Sequence, residues 1–216
     1  MLKKLFSLIL SSIIFMSVSV TSFASDLKYE SNNQSINSSI AEKYNITEDE
    51  IVNLNDNLKN ALNVLNSKRI ISEPNSNGVI EETIPVSENL ILTITTKEIP
   101  SNNSRASVYT RTITSTMSLK NIFGVTIVTL NSIGIFETNG STSKPVDAYG
   151  THESFVWSVA NTNSTKGSSA YNSWVRNNFS GQFDLGIDPV SVTIQSFSYS
   201  CTIYCNANGS YSVNWV

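Results

Sequence analysis

The chain has little of the chemistry on which most enzymes depend. Its 216 residues include one histidine, His152, and two cysteines, Cys201 and Cys205. A structural zinc site needs four well-placed ligands, so these residues argue against a metal centre. No serine lies in a Gly-x-Ser-x-Gly elbow, which argues against a catalytic triad built on His152. We therefore expect no metal, no cofactor and no enzymatic activity.

Carboxylates offer the other route to catalysis, because a glycan hydrolase works with a pair of them. The acidic residues of the C-terminal half are Glu137, Asp147, Glu153, Asp184 and Asp188. Surface solvation accounts for each of these side chains, and the sequence does not give the distance between any two. A glycan hydrolase therefore stays as a disfavoured alternative.

Basic residues are also scarce, and the net charge is −3 at pH 7. Residues 25–106 hold 12 acidic and 7 basic side chains, and residues 107–216 hold 5 of each. Neither half is basic enough to attract nucleic acid or an anionic bilayer over a distance. We expect no nucleic-acid partner.

Long apolar runs are missing except at the start of the chain. Lys3 and Lys4 precede an apolar, serine-interrupted run over residues 5–20, and Ser22-Phe23-Ala24 follows it. This is the pattern of a cleaved signal peptide, and the run is too short for a membrane span of about 20 apolar residues. We expect residues 1–24 to be removed and the mature protein to be secreted, extracellular and unanchored.

The segment 25–106 begins with a clear helix signal. Thr47 can cap a first turn while Glu50 reaches back to it, and apolar residues then recur with a helical period. This pattern predicts one amphipathic helix over about 48–66. Strand-like runs over 79–84 and 90–96 predict a short hairpin after it. Such a core is marginal, so we expect this acidic α+β prosegment to lean on the rest of the protein.

From Ser107 onward the apolar period changes to two, which is typical of half-buried strands. Residues 125–138 read as a returning strand, and Asn139-Gly140 is a strong hairpin signal. Further strands are predicted around 154–159, 171–185, 190–204 and 211–216. Residues 107–216 are therefore predicted to form an all-β domain, an antiparallel β-sandwich or open barrel.

The two cysteines lie in one predicted strand. Alternate positions from Phe197 to Cys205 share one phase, so Cys201 and Cys205 point into the same apolar face. Four residues of strand, at about 3.3 Å each, separate the two residues by about 13 Å, whereas a disulfide needs Cα atoms within about 7 Å. Two buried thiols are favoured and a disulfide is disfavoured. The change of phase before Phe197 predicts a bulge near Gln195.

Between the two segments, the polar break from Pro100 to Ser107 has no apolar residue larger than alanine. Proteolytic nicking concentrates at such places, so the chain could be cut here. An uncut linker is the alternative.

Two features could serve function through a surface. Residues 107–120 and 125–138 alternate over about the length of tilted membrane strands, with Ile122 and Phe123 at the tip, although an ordinary sheet shows the same alternation. Nine aromatic residues also lie between Tyr171 and Trp215. Most should be core, but exposed rings could stack on sugars, which keeps a module binding cell-wall or host glycan as an alternative.

Three stretches carry a family resemblance: Met117–Leu130, Gly134–Ser143, and Ser200–Cys205 with Asn208-Gly209. They resemble a mostly uncharacterised group of secreted Gram-positive proteins that look like large, perfrin-like non-lantibiotic bacteriocins. The resemblance covers residues 107–216 and rests on turn and strand residues, which preserve a fold more than a function. It implies an antibacterial protein whose C-terminal domain is released by proteolysis at the polar break, with Ser104, Arg105 and Ala106 as the processing residues. The implied partners are the envelope of competing bacteria, or a receptor on it, and an immunity protein.

Overall fold

The computed structural model describes residues 42–68, 78–100, 108–154, 157–185 and 192–216. These residues form two helices, α1 (Glu48–Val52) and α2 (Leu54–Lys68), followed by nine strands. The strands are β1 (Val79–Pro85), β2 (Leu90–Pro100), β3 (Tyr109–Asn121), β4 (Thr126–Thr138), β5 (Ser143–Ser154), β6 (Trp157–Ser168), β7 (Asn172–Leu185), β8 (Val192–Asn206) and β9 (Tyr211–Trp215). The predicted signal peptide, residues 1–24, lies outside the described residues.

The strands form two antiparallel sheets in simple chain order. The first sheet runs β1-β2-β3-β4-β5 and the second runs β6-β7-β8-β9. The sheets meet where β5 lies against β6 and β7, and α2 contacts β1 and β9 on the other side. The predicted fold class, mainly β with antiparallel sheets in a sandwich or open barrel, is confirmed.

The alternating sequence of β3 and β4 explains their place in the centre of the first sheet. On β3, Ile113, Met117 and Leu119 are buried, while the intervening threonines are half-exposed. Their β4 partners are Gly134, Leu130 and Val128, so apolar residues of the two strands share the inner face. A period of two thus places one face of each strand in the core.

The predicted single helix over 48–66 is two helices. The capping box is present as expected, since Thr47 caps the first turn and Glu50 bonds back to the Thr47 N–H at 2.8 Å. The break lies at Asn53, whose backbone N–H makes the helical bond to the Asp49 carbonyl oxygen while its side-chain Nδ2 donates to the same oxygen. Asparagine competes with helical hydrogen bonding in this way, which ends α1 before α2 begins.

The strand predicted around 154–159 takes in the end of one strand and the start of the next, and residues 155–156 between them lie outside the described residues. The two strands are much longer than predicted: β5 spans Ser143–Ser154 and β6 spans Trp157–Ser168. Most side chains of β5 are partly or fully exposed, so its sequence lacks the apolar alternation that marks a half-buried strand. Pairing with β4 along its whole length, rather than burial, holds β5 in place.

The turn and bulge signals were more reliable. Gly124 and Gly140 have φ of 82° and 83° in the β3–β4 and β4–β5 turns, a region that favours glycine. On β8, Gln195 pairs with Phe183 and Thr193 pairs with Asp184, which leaves one β8 residue between them unpaired. The bulge predicted near Gln195 is therefore confirmed.

The buried apolar residues form one core. It runs from Tyr44 and the helices through both sheets to Trp215. The boundary predicted at 106/107 falls between β2 and β3, which pair with each other. Within the part of the chain that is described, no helix combines the length and apolarity that a membrane crossing requires.

Candidate functional site: an N-terminal cap on the β-sheets

We call the described residues before β3, namely 42–68 and 78–100, the N-terminal cap. It consists of α1, α2, β1 and β2. Strands β3 to β9 follow it: β3, β4 and β5 complete the first sheet, and β6 to β9 form the second. The contacts between the cap and strands β3 to β9 determine whether the cap can separate from them.

Glu50 is the anchor at one end of the cap. Its carboxylate accepts hydrogen bonds from the Ser87 hydroxyl and, at 2.9 and 3.1 Å, from the backbone N–H and Nδ2 of Asn89. Burial opposes ionisation, but the hydrogen bonds from Ser87, Thr47 and Asn89 outweigh it and lower the pKa of Glu50 to about 2. Glu50 therefore fastens α1 to the β1–β2 turn as a carboxylate.

Asn121 joins the cap to the β3–β4 turn. Its Nδ2 donates to the Tyr44 carbonyl oxygen at 2.7 Å, and its Oδ1 accepts from the N–H groups of Phe123 and Val125. The Ile122 N–H donates to the Asn89 carbonyl oxygen at 3.0 Å. The same asparagine thus fixes the turn and holds the cap beside it.

Helix α2 supplies the apolar part of the contact. Leu54, Leu58 and Leu62 are all buried, and Leu58 is fully inaccessible to solvent. At its two ends, Asn55 Nδ2 donates to the Ser196 carbonyl oxygen and Asn66 Nδ2 donates to that of Trp215. Polar bonds therefore align the helix along the second sheet while its leucines fill the core.

Strand β2 supplies the longest contact. It pairs with β3 from Leu90↔Asn121 to Pro100↔Arg111. Between the sheets, the Ser115 hydroxyl contacts that of Thr96 at 3.1 Å and accepts from Trp215 Nε1 at 2.9 Å. At the far end, Arg111 forms an ion pair of 2.7 Å with Glu98. Backbone pairing, a buried polar contact and a half-buried ion pair therefore all cross this boundary.

The candidate processing residues Ser104, Arg105 and Ala106 lie outside the described residues. The strands that flank them are described, since β2 ends at Pro100 and β3 begins at Tyr109. Pro100 is paired with Arg111. The polar break thus joins two neighbouring, antiparallel strands.

The predicted tip residues lie at the β3–β4 turn and face solvent. Ile122 is 47% exposed and Phe123 is 69% exposed. Val125 on the same turn is also exposed. An apolar turn held by the Asn121 hydrogen bonds is a surface suited to contact another apolar phase.

The two cysteines are free and buried on β8. Cys201 contacts the hydroxyls of Ser132 and Ser115, yet burial dominates and raises the pKa of its thiol to about 12. Burial likewise raises the pKa of Cys205. A protonated buried thiol is a poor nucleophile, so both act as small core residues.

The remaining candidate residues are dispersed. His152 and Glu153 are exposed on β5, as are Glu137 on β4 and Asp147 on β5, while Asp188 and the side chain of Asp184 lie outside what is described. Within the described ranges, His, Cys, Asp and Glu side chains form no group of three suited to a metal.

Comparison of the chain with protein-family models, with curated proteins and with solved structures found no match. The structure itself therefore defines the class: a mainly β protein of two antiparallel sheets, with a helix and an edge hairpin from its N-terminal part built into the core.

Proposed function

We propose that this is a secreted, non-enzymatic antibacterial protein that acts on the envelope of competing bacteria. In this proposal residues 1–24 direct secretion and the N-terminal cap holds the β-sheets inactive. A protease cuts near Ser104, Arg105 and Ala106. The observation that carries the proposal is the position of the cap, whose helix α2 and edge strands β1 and β2 complete a core that β3–β9 share.

Removal of the cap would uncover two kinds of reactive surface. The β3 edge would lose the partner strand that now satisfies its backbone groups, and unpaired edges bind other strands. The core beneath Leu58 and Leu62 would face water. A protein that becomes adhesive only after its cap has been removed fits an agent that must stay harmless until it has left its producer.

Cutting alone would not release the cap. Each of the buried leucines Leu54, Leu58 and Leu62 contributes about 2 kcal/mol by removal from water, and the β2–β3 ladder adds its backbone pairing. We therefore propose a nicked complex in which contact with the envelope displaces the cap. The apolar turn of Ile122, Phe123 and Val125 is the surface we assign to that contact.

Insertion of β3 and β4 as a membrane hairpin would require more than this. Strand β3 pairs with β2 on the side away from β4, and β4 pairs with β5 along its length. Both ladders would have to separate, and the inner faces would have to leave the core. We propose binding at the tip as the first step, and dye release from liposomes by the nicked protein tests whether insertion follows.

The deciding experiment compares the wild type with Arg105→Gln in culture supernatant and on lawns of related bacteria. The expected result is a wild-type chain cut near residue 105 that clears lawns, and a variant that is neither cut nor active. Full activity of the uncut variant would contradict activation by cleavage. Lack of activity of the cut wild type on every lawn would contradict the antibacterial role.

A second candidate function is a non-catalytic module that binds cell-wall or host glycan. The outer face of the second sheet favours it, because Trp174 pairs there with the exposed Tyr204 and such rings can stack on sugars. Such a module would bind the polymer without killing any cell, which separates it from the first proposal.

A further inference from the structure

The outer face of the second sheet carries a track of polar and aromatic side chains. Cross-strand pairing places Trp174 beside Tyr204, Arg176 beside Thr202 and Asn178 beside Ser200. The residues between them face the core instead, and within the track Thr202 is itself buried at 4% exposure. The core-facing residues are Val175, Asn177, Cys201 and Ile203. From Trp174 to Asn178 the track is about 13 Å long, at about 3.3 Å per residue.

At one end the track opens into a groove against helix α2. The groove has a volume of about 460 Å³ and is lined by Lys59, Leu62, Asn63, Asn178, Ser198, Ser200 and Val216. A volume of this order lies within the range of small-ligand sites. Asn178 and Ser200 belong to both features, so the groove and the track are one continuous surface.

Several polar groups of this surface have no protein partner. Among the described residues, the side chains of Lys59, Asn63, Ser198 and Ser200 make no hydrogen bond. Arg176 donates through Nε to the Thr202 hydroxyl at 2.9 Å, which leaves its two terminal nitrogens without a hydrogen-bond partner in the described ranges. The surface therefore offers amide, hydroxyl, ammonium and guanidinium groups to a ligand.

The other end of the track is aromatic. Trp174 covers Gly167 on β6 so closely that a Cβ there would lie 2.7 to 2.8 Å from atoms of the indole. Glycine at this position lets the ring settle against the sheet, and Trp174 stays partly exposed. Tyr204 beside it is 41% exposed. Two adjacent rings on a sheet surface provide apolar faces that sugar rings can cover.

The side chains of the track limit the class of ligand that it can bind. Its six cross-strand residues, Trp174, Arg176, Asn178, Ser200, Thr202 and Tyr204, include no acidic side chain. Thr202 is buried and accepts from Arg176, and the Nδ2 of Asn178 donates to Asn163. Hydroxyl groups of a sugar can both donate to and accept from the Asn63 amide and the Ser198 and Ser200 hydroxyls, while Arg176 and Lys59 can only donate. The combination of rings and neutral hydrogen-bonding groups suits a hydroxyl-rich polymer better than an apolar chain or a peptide strand.

We propose that the outer face of the second sheet binds a polysaccharide chain, with sugar rings against Trp174 and Tyr204 and the chain continuing into the α2 groove. This site names the envelope component for the proposed function and to that extent rests on it. Helix α2 forms one wall of the groove, so the intact, capped protein is the form that binds.

The test is co-sedimentation of the full chain with insoluble polysaccharides. The probes are peptidoglycan stripped of teichoic acid, the same walls with teichoic acid attached, and cellulose. The variants are Tyr204→Ala, Ser198→Glu and the double variant Trp174→Ala/Tyr204→Ala. Tyr149→Ala, an exposed aromatic on β5 of the other sheet, is the matched control. Circular dichroism and unfolding midpoints show whether each variant is folded. Tyr204→Ala and Ser198→Glu keep the test valid if loss of Trp174 disturbs the fold.

We expect the wild type and Tyr149→Ala to sediment with stripped peptidoglycan. Loss of stacking should weaken binding of the double variant about tenfold or more, and Ser198→Glu should weaken it by obstructing the groove. Three results would each overturn the site: no retention on any polysaccharide, equal retention of the variants, or retention only on walls that carry teichoic acid. Retention on peptidoglycan without killing of bacteria on lawns would uphold the site and contradict the antibacterial role. Killing without retention would uphold the antibacterial role and contradict the site.

Discussion

Glu50 shows how one side chain can join two elements within the N-terminal cap. It closes the capping box of α1 and accepts three hydrogen bonds from the β1–β2 turn. Hydrogen bonds to an ionised group are stronger than those between neutral groups. The link between helix and hairpin within the cap therefore depends on the charge of this residue.

Glu50→Gln should lower the free energy of unfolding by about 2 kcal/mol, because the charged acceptor is lost. The pKa of Glu50 is lowered in the folded protein from 4.5 to about 2. Its contribution is therefore fully present above pH 4.5 and is lost as the pH falls towards 2. Chemical unfolding measured from pH 7 to pH 2 should show a difference between wild type and variant that shrinks in this window. A constant difference over the whole range would contradict the role of the charge.

Cys201 and Cys205 should be hidden from thiol reagents in the native protein. Burial raises the pKa of both thiols, and to about 12 for Cys201, so neither is ionised near neutral pH. Intact mass after alkylation should show no label in buffer and two labels in denaturant without a reductant. A mass lower by two hydrogen atoms, with labelling only after reduction, would reveal a disulfide instead.

At the scale of elements, the strands whose apolar residues alternate could be predicted from the sequence, and the strands without this alternation could not. The strands β3 and β4, the capping box and the turns at Gly124 and Gly140 each have a local chemical signature. The strands β5 and β6 have none, because pairing rather than apolar alternation defines them. The break at Asn53 depends on one side chain competing with the helix, which periodicity does not register.

The surfaces that we assign to function were only partly visible in the sequence. The exposed tip could be predicted because a turn between two alternating strands must project from the sheet. The track on the second sheet could not be predicted, because it depends on the strand register that pairs Trp174 with Tyr204 and on the position of α2. The density of aromatic residues between Tyr171 and Trp215 pointed to a ring surface, but it did not tell which rings are exposed.

Helix α2 should be sensitive on one face only. Leu58→Ala leaves a cavity in the core and should lower the free energy of unfolding by about 3 kcal/mol. Asn60→Ala lies on the exposed face and should change it by less than about 0.5 kcal/mol. Equilibrium unfolding by circular dichroism measures both. Equal effects of the two substitutions would mean that α2 is not packed as described.

The β3–β4 turn should matter for contact rather than for stability. Phe123→Ser removes a ring that is 69% exposed, so the free energy of unfolding should stay within about 0.5 kcal/mol of wild type. If the turn binds an apolar phase, loss of one phenyl group should weaken binding to vesicles or target cells about tenfold. Tyr149→Ser on β5 is the control for a lost exposed aromatic. Unchanged binding of Phe123→Ser would remove the turn from the mechanism.

At the scale of the whole molecule, the chain forms one core from two parts that the sequence separates by composition. The acidic segment before residue 107 and the neutral segment after it differ in charge and period. They nevertheless share the β2–β3 ladder, the contacts of Ser115 and the ion pair between Glu98 and Arg111. A change of composition therefore need not mark separately folded units, and a cut between them need not part them.

This leads to a prediction for the nicked protein. A protease site inserted within residues 101–107 and then cut should give two fragments that co-elute in size-exclusion chromatography, because backbone pairing and the buried leucines of α2 hold them together. Arg111→Ala removes the ion pair and the donor to Thr138, and should make the fragments separate at a lower denaturant concentration. The uncut chain of each form is the control for overall stability. Spontaneous separation in buffer would mean that cutting alone frees the β-sheets, and envelope contact would then have no part in removing the cap.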